Sequence, residues 1–90
     1  MDSENTVFIG KKNTMAYVLA VVTQLNSGKE TVLVKARGKA IARAVDVAEI
    51  VRNRFGQGVS VGPVKISTEE LESVDRQMIK VSAIEIVLQR

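Results

Sequence analysis

Residues 30–55, ETVLVKARGKAIARAVDVAEIVRNRF, contain the pattern that decides the fold. The Val- and Leu-rich segment 30–36 favours a β-strand, and the turn at residues 37–39 interrupts it. From Ala40 onward, apolar residues recur at the spacing of a helix as far as Phe55-Gly56. This stretch therefore predicts a strand, a short turn and a helix.

The preceding part of the chain has the same order of elements. Thr6–Ile9 is a short β-favouring run that ends at Gly10. Either Asn13 or Thr14 can cap a helix, because both side chains accept hydrogen bonds from free backbone N–H groups. The apolar positions that follow keep helical spacing to about Asn26. A first strand, turn and helix are therefore predicted here.

Two further strands are predicted in the C-terminal third. Val59–Ser67 and Gln77–Leu88 both read as strands. The nine residues between them, Thr68–Arg76, are long for a hairpin loop and indicate a projecting arm or a functional loop. A short helical turn is the alternative, because Ser67 and Glu70 fit a capping box.

The predicted order βαβαββ defines the fold class. Strands joined by a crossover helix are parallel and usually adjacent, which places both helices on one face of a four-stranded mixed sheet. Pro63 lacks a backbone donor and makes the third strand an edge strand or a bulged one. We therefore predict one α/β domain over residues 1–90, an α+β two-layer sandwich with a long C-terminal β-hairpin arm.

The composition excludes most classes of enzyme. The 90 residues include neither cysteine nor histidine, which removes disulfides, thiolate nucleophiles, imidazole bases and the usual zinc ligands. We expect no catalytic activity and no cofactor. The longest apolar run, Met15–Val22, has eight residues, whereas a membrane-spanning helix needs roughly 20. A soluble, cytoplasmic protein without membrane contact is expected.

Positive charge is concentrated in the middle of the chain. The net charge is +3, but residues 11–54 hold nine cations against three anions. Two basic turns, at 10–12 and 37–39, leave the carboxyl ends of parallel strands and open onto helix N-termini, which favour phosphate. We predict a multivalent anion site formed by Lys11, Lys12, Arg37 and Lys39. The alternative is that these side chains are only solvated surface.

Other charged residues are assigned structural or surface roles. Arg52 and Arg54 lie in the last turn of the second helix, where cations interact favourably with the helix C-terminus. Four carboxylates near the hairpin lack the spacing of a metal-binding loop and are interpreted as solvent-facing surface: Glu69, Glu70, Glu72 and Asp75.

The helices also carry apolar and aromatic residues outside their main stripes. Val45 and Ile50 lie about 110° from the centre of the second helix's stripe. This excess predicts a two-fold homodimer, the alternative being that loops cover these residues. Tyr17 lies about 160° from the stripe of the first helix, so we expect it outside the monomer core. It would then contact nucleic acid, a partner subunit or solvent alone.

Several segments together carry a resemblance that extends over nearly the whole chain. They are IGKK at 9–12, KARGKAI at 35–41, AVD at 44–46, EIVRNRF at 49–55 and SAIEI at 82–86. KARGKAI and EIVRNRF at this spacing are specific, whereas the GKK turn alone is a weak signal. On these segments the chain resembles the Alba family of small archaeal nucleic-acid-binding chromatin proteins.

The resemblance implies a dimer that binds double-stranded DNA or RNA with little sequence preference and associates with the chromosome. The implied nucleic-acid contacts are Lys11, Lys12, Lys35, Arg37, Lys39, Arg43 and, on the hairpin arm, Arg76. It further implies a clamp, in which the central body crosses the duplex and two arms extend along the minor groove. Phe55 corresponds to a position that makes dimer-to-dimer contacts on DNA.

The chain departs from the family pattern at two places. Asn13 stands where many members have proline, a change that should preserve the helix cap. The arm carries four carboxylates before Arg76, and like charge near phosphate repels. This indicates weaker binding or a modulating role in a mixed dimer with a paralogue.

The resulting hypothesis is a dimeric, sequence-independent DNA-binding chromatin protein that acts through Lys and Arg contacts to phosphates. Acetylation of Lys11 would remove a charge from this site. One alternative is an RNA-binding protein, either a ribonucleoprotein subunit or an RNA chaperone. The other is a regulatory domain that binds a phosphorylated metabolite or nucleotide at the helix N-termini.

Overall fold

The computed structural model describes residues 5–55 and 58–90, and it contains two helices packed on a four-stranded mixed sheet. The order βαβαββ and the predicted α/β two-layer architecture are confirmed. A 3-10 turn, Gly38–Ala40, precedes the second helix. The elements are β1 Thr6–Phe8, α1 Thr14–Asn26, β2 Thr31–Arg37, α2 Ile41–Arg54, β3 Ser60–Glu72 and β4 Met78–Gln89.

The sheet has the strand order β1-β2-β4-β3. β1 and β2 are parallel, whereas β4 runs antiparallel to both β2 and β3. Because parallel strands end at the same edge of a sheet, the turns that follow β1 and β2 lie side by side, as predicted.

The core lies between the helices and one face of the sheet. Alternation along β2 buries Val32, Val34 and Ala36 on this face, and β4 contributes Ile86 and Leu88 beside them. Four helical valines are fully buried against these strands: Val18, Val21, Val47 and Val51. Burial of one such side chain stabilises a fold by about 1.5 kcal/mol or more. Packing of the two layers therefore fixes the helices above the sheet.

The helix ends follow from local residue chemistry. Asn13 caps α1, since its side-chain oxygen accepts a hydrogen bond from the Ala16 N–H at 3.0 Å. Gly28 follows the end of α1 with a φ of 104°, a conformation that favours glycine. The second helix ends at Arg54 with Phe55 as its cap, and Gly56 lies outside the described residues.

The hairpin arm differs from the sequence prediction. β3 continues through Glu72, so the nine-residue loop and the short helical turn starting at Ser67 and Glu70 are both wrong. The connection is only residues 73–77, because backbone pairing with β4 extends along the whole arm. β3 is an edge strand with a register shift between Val61 and Val64, which confirms both alternatives for Pro63. In the described part of the chain, neither helix has the length and apolarity to span a membrane.

Candidate nucleic-acid interface

A groove opens at the sheet edge where β1 and β2 end, and it continues onto the sheet face that the helices leave open. We call it the basic groove. Two carboxylates, Glu69 and Glu85, line it together with the aromatic ring of Phe8. The cations that line it are Lys11, Lys35, Arg37, Lys39, Arg43 and Lys65. Cations thus outnumber carboxylates three to one along this surface.

The turn after β1 is held in shape by a tyrosine from α1. The Tyr17 hydroxyl accepts hydrogen bonds from the backbone N–H groups of Gly10 at 2.8 Å and Lys12 at 3.0 Å. A Cβ at Gly10 would lie 3.3 Å from this hydroxyl, so glycine permits the close approach. The side chains of Lys11 and Lys12 are exposed. Lys11 lines the basic groove, whereas Lys12 lies on the same turn outside its lining.

The expectation that Tyr17 lies outside the monomer core is wrong. Its side chain is only 8% exposed and packs with the core valines. Tyr17 lies in the first turn of α1, and its hydroxyl meets the backbone of the preceding loop at Gly10 and Lys12. A direct contact between Tyr17 and nucleic acid stays a prediction.

The turn after β2 lies beside the first turn and is tied to it. Gly38 has a φ of 54°, which lets the chain leave β2 and enter the 3-10 turn without strain. Lys39 follows it and is exposed. Arg43, on the first turn of α2, donates a hydrogen bond from Nη1 to the Gly10 carbonyl oxygen at 2.6 Å. This contact fixes the spacing of the two basic turns across 33 residues of sequence.

The floor of the basic groove is built by side chains on all four strands. Lys35 forms an ion pair with Glu85 at 3.6 Å, and its ammonium lies 6.0 Å from the centre of the Phe8 ring. Lys65 on β3 is directly opposite Glu85 in the strand register. Lys65 is not among the site residues predicted from the sequence. What would point to Lys65 is its position opposite an acidic residue of β4. That position can be recognised only once the strand register is known.

Arg37 and Glu69 form the closest ion pair in the basic groove, with 2.6 Å between Nε and Oε1. Glu69 lies at the surface, as interpreted from the sequence, with its side chain 39% exposed, and the structure adds that it is paired with Arg37. Strand alternation turns Glu69 toward the groove and Glu70 toward the opposite face of the arm.

Asp75 stands in the connection between β3 and β4. A hydrogen bond from the Ser73 hydroxyl, and a second from the Gln77 backbone N–H at 3.3 Å, lower the pKa of the Asp75 carboxyl. These contacts give this carboxylate a local role in holding the tip of the arm.

Arg76, Phe55 and Arg52 lie away from the basic groove. Arg76 stands at the tip of the arm, at a φ of 67°. Phe55, at the far end of α2, is 45% exposed. The contacts of Arg76 and Phe55 on nucleic acid stay predictions.

Arg52 lies in the last turn of α2 and donates two hydrogen bonds to Glu49, which lower the pKa of the Glu49 carboxyl. Its position and partner agree with a structural role.

This arrangement suits an extended anion better than a metal ion. Exposed cations along an open groove create a positive potential that attracts polyanions. Within residues 5–55 and 58–90, no group of three or more acidic, histidine or cysteine side chains is placed to hold a metal.

Comparison with known proteins gives consistent matches. The Alba family model matches residues 5–68. The chain is 59% identical to DNA/RNA-binding protein Alba 1 of Archaeoglobus fulgidus, over 96% of each chain. It is 53% identical to DNA/RNA-binding protein Alba of Methanocella arvoryzae, over 100% of this chain and 94% of that one. The solved structure of Alba from Thermoplasma volcanium is similar with a TM-score of 0.90 and 49% identity, over 96% of this chain and 100% of that one.

Proposed function

This chain belongs to the Alba family, and we propose that its basic groove binds double-stranded DNA as a sequence-independent architectural protein of the chromosome. Binding takes place through contacts of Lys and Arg side chains with phosphates, and it gains affinity from released counterions. The protein acts by binding and carries out no chemical reaction.

One observation carries this proposal: the two basic turns lie at a single groove and are tied together by Arg43. Lys11 comes from the first turn and Lys39 from the second, yet both line the same surface. A polyphosphate that crosses the groove would meet both turns at once. Because phosphates occur in every sequence, such contacts position the duplex without reading its bases.

RNA is the second candidate ligand. Relatives with more than half of their residues identical to this chain carry the name DNA/RNA-binding protein. The basic groove offers cations to phosphates, which both polymers have. A ribonucleoprotein subunit or an RNA chaperone would use the same residues.

We infer that the working unit is a dimer, formed over an apolar surface beside α2. We call this surface the apolar shelf. Ile41, Ile66 and Ile84 line one shallow depression, and we include the exposed Val45, one turn after Ile41 on α2, and Val64, on the same face of β3 as Ile66. Val64 and Ile66 are 52% and 76% exposed, although they lie on the sheet face that elsewhere packs against the helices. An uncharged surface of this kind suits protein better than phosphate.

A second copy of this chain is the occupant that we propose for the apolar shelf. A two-fold axis brings identical patches together, so the shelf of one copy covers that of the other. A chain of this size buries a modest fraction of its surface alone, and the partner adds to its stability. A dimer would also present two basic grooves to one duplex. A paralogue with the same shelf would form the mixed dimer by the same contacts.

Mobility-shift titration at several salt concentrations tests the proposed ligand. We expect duplexes of unrelated sequence to bind with equal affinity, and affinity to fall steeply as salt rises. Duplex DNA and duplex RNA of matched length compete in the same assay, which ranks the two polymers. Saturable binding of a mononucleotide, with no gain for longer ligands, would contradict the proposal and favour a metabolite site.

A further inference from the structure

In the free protein one cation of the basic groove, Arg37, is already engaged in an ion pair with Glu69. The two side chains meet at 2.6 Å and remain 58% and 39% exposed, so both are accessible from the groove. The contact therefore competes with any phosphate that approaches the same guanidinium.

Strand register explains how the pair forms. Arg37 on β2 lies opposite Ala83 on β4, and Ala83 lies opposite Ser67 on β3. Glu69 is two residues further along β3 on the same face. The guanidinium therefore reaches across the whole width of β4, where the small side chain of Ala83 leaves room for it. The contact joins the second basic turn to the base of the hairpin arm.

We propose that Glu69 is a built-in competitor that lowers the affinity of the basic groove for nucleic acid by holding Arg37. This inference rests on the proposed function. In the free protein the Glu69 carboxylate takes the place of a phosphate oxygen on the guanidinium. Binding of a duplex exchanges this partner for a phosphate, and it releases the arm from the second basic turn.

The exposure of the pair sets the size of the effect. An exposed ion pair is weak and is screened by salt, so a phosphate of a multivalent duplex displaces it readily. The pair therefore adjusts the affinity and does not block the groove. On this basis, loss of the Glu69 charge strengthens duplex binding by about two- to fivefold at low salt.

The first experiment compares Glu69→Gln with Glu70→Gln in the full-length chain. Both variants remove one negative charge from neighbouring positions of β3, but Glu70 lies on the opposite face of the arm and is paired in register with Lys80. The ligand is a duplex DNA of about 20 base pairs, titrated at low salt. We expect E69Q to bind more tightly than E70Q by about two- to fivefold. Equal affinities of the two variants would overturn the inference.

A second experiment separates competition for Arg37 from simple repulsion of phosphate. Glu69→Gln is introduced into a chain that already carries Arg37→Gln. If Glu69 acts by holding Arg37, the gain in affinity disappears in this background. A gain of the same size in both backgrounds would overturn the inference in favour of repulsion. If the unaltered chain fails to bind the duplex at low salt, the proposed function fails and the inference falls with it.

Discussion

At the residue scale, the Tyr17 hydroxyl connects the packed core to the shape of the first basic turn. Its two hydrogen bonds satisfy the N–H groups of Gly10 and Lys12. We predict that Tyr17→Phe, which keeps the ring, lowers the free energy of unfolding by about 1 kcal/mol, because both donors lose their acceptor. It also weakens duplex binding for all sequences, because a less ordered turn is less preorganised. Chemical denaturation and duplex titration measure the two effects.

Ser27→Ala is the matched control for this variant. The Ser27 hydroxyl donates to the Gln24 carbonyl at the other end of α1, in an exposed position. This variant should change duplex binding little. If Tyr17→Phe weakens binding but leaves the stability unchanged, Tyr17 contacts nucleic acid directly and does not act by holding the turn.

The sequence identifies some site residues and misses others for physical reasons. Lys11 and Lys39 follow strand ends beside a glycine, and their convergence is predictable because strands joined by a crossover helix are parallel and usually adjacent. The burial of Tyr17 could not be predicted in this way. A helical projection gives the direction of its side chain relative to the apolar stripe, but it does not give the path of the loop whose backbone meets its hydroxyl. Lys65 and the pairing of Glu69 depend on strand register, which brings together residues that are distant along the chain.

At the element scale, α2 and β3 expose the apolar shelf, and its role can be tested by introducing a charged side chain there. We predict that Ile66→Glu shifts the protein from dimer to monomer, because a carboxylate buried in the interface loses its hydration without gaining a partner. Sedimentation equilibrium or light scattering measures the mass in solution.

Val74→Glu is the matched control, since Val74 is fully exposed in the connection between β3 and β4. It adds the same charge away from the shelf and should leave the mass unchanged. A monomeric unaltered chain, or a dimer that survives Ile66→Glu, would contradict the proposed interface.

Element boundaries were predictable to different degrees. The first two strands and both helices follow from periodicity and from glycine at the turns, and their predicted ends lie close to the observed ones. The end of β3 was missed, because residues 68–72 include three carboxylates and their composition resembles a loop. Pairing with residues 78–82 of β4 supplies the backbone hydrogen bonds that keep this charged segment extended.

At the scale of the whole molecule, topology turns two distant basic segments into one surface. β1 and β2 are parallel neighbours, so Gly10 and Gly38 begin turns at the same sheet edge. The hydrogen bond from Arg43 to Gly10 then holds the turns together. The same fold places Lys29 between α1 and β2, at the opposite end of β2. Net charge alone does not describe this molecule, because position decides which cations can act together.

The salt dependence of duplex binding, measured for variants of both turns, tests this convergence most directly. The variants are Lys11→Gln, Lys39→Gln, the two combined, and Lys29→Gln as a control of equal charge. We predict that each turn variant lowers the slope of log affinity against log salt by about 0.9, and the combination by about 1.8, for every sequence. Lys29→Gln should leave the slope nearly unchanged. Unchanged slopes in the turn variants, or an equal loss in Lys29→Gln, would contradict a single nucleic-acid surface built from both turns.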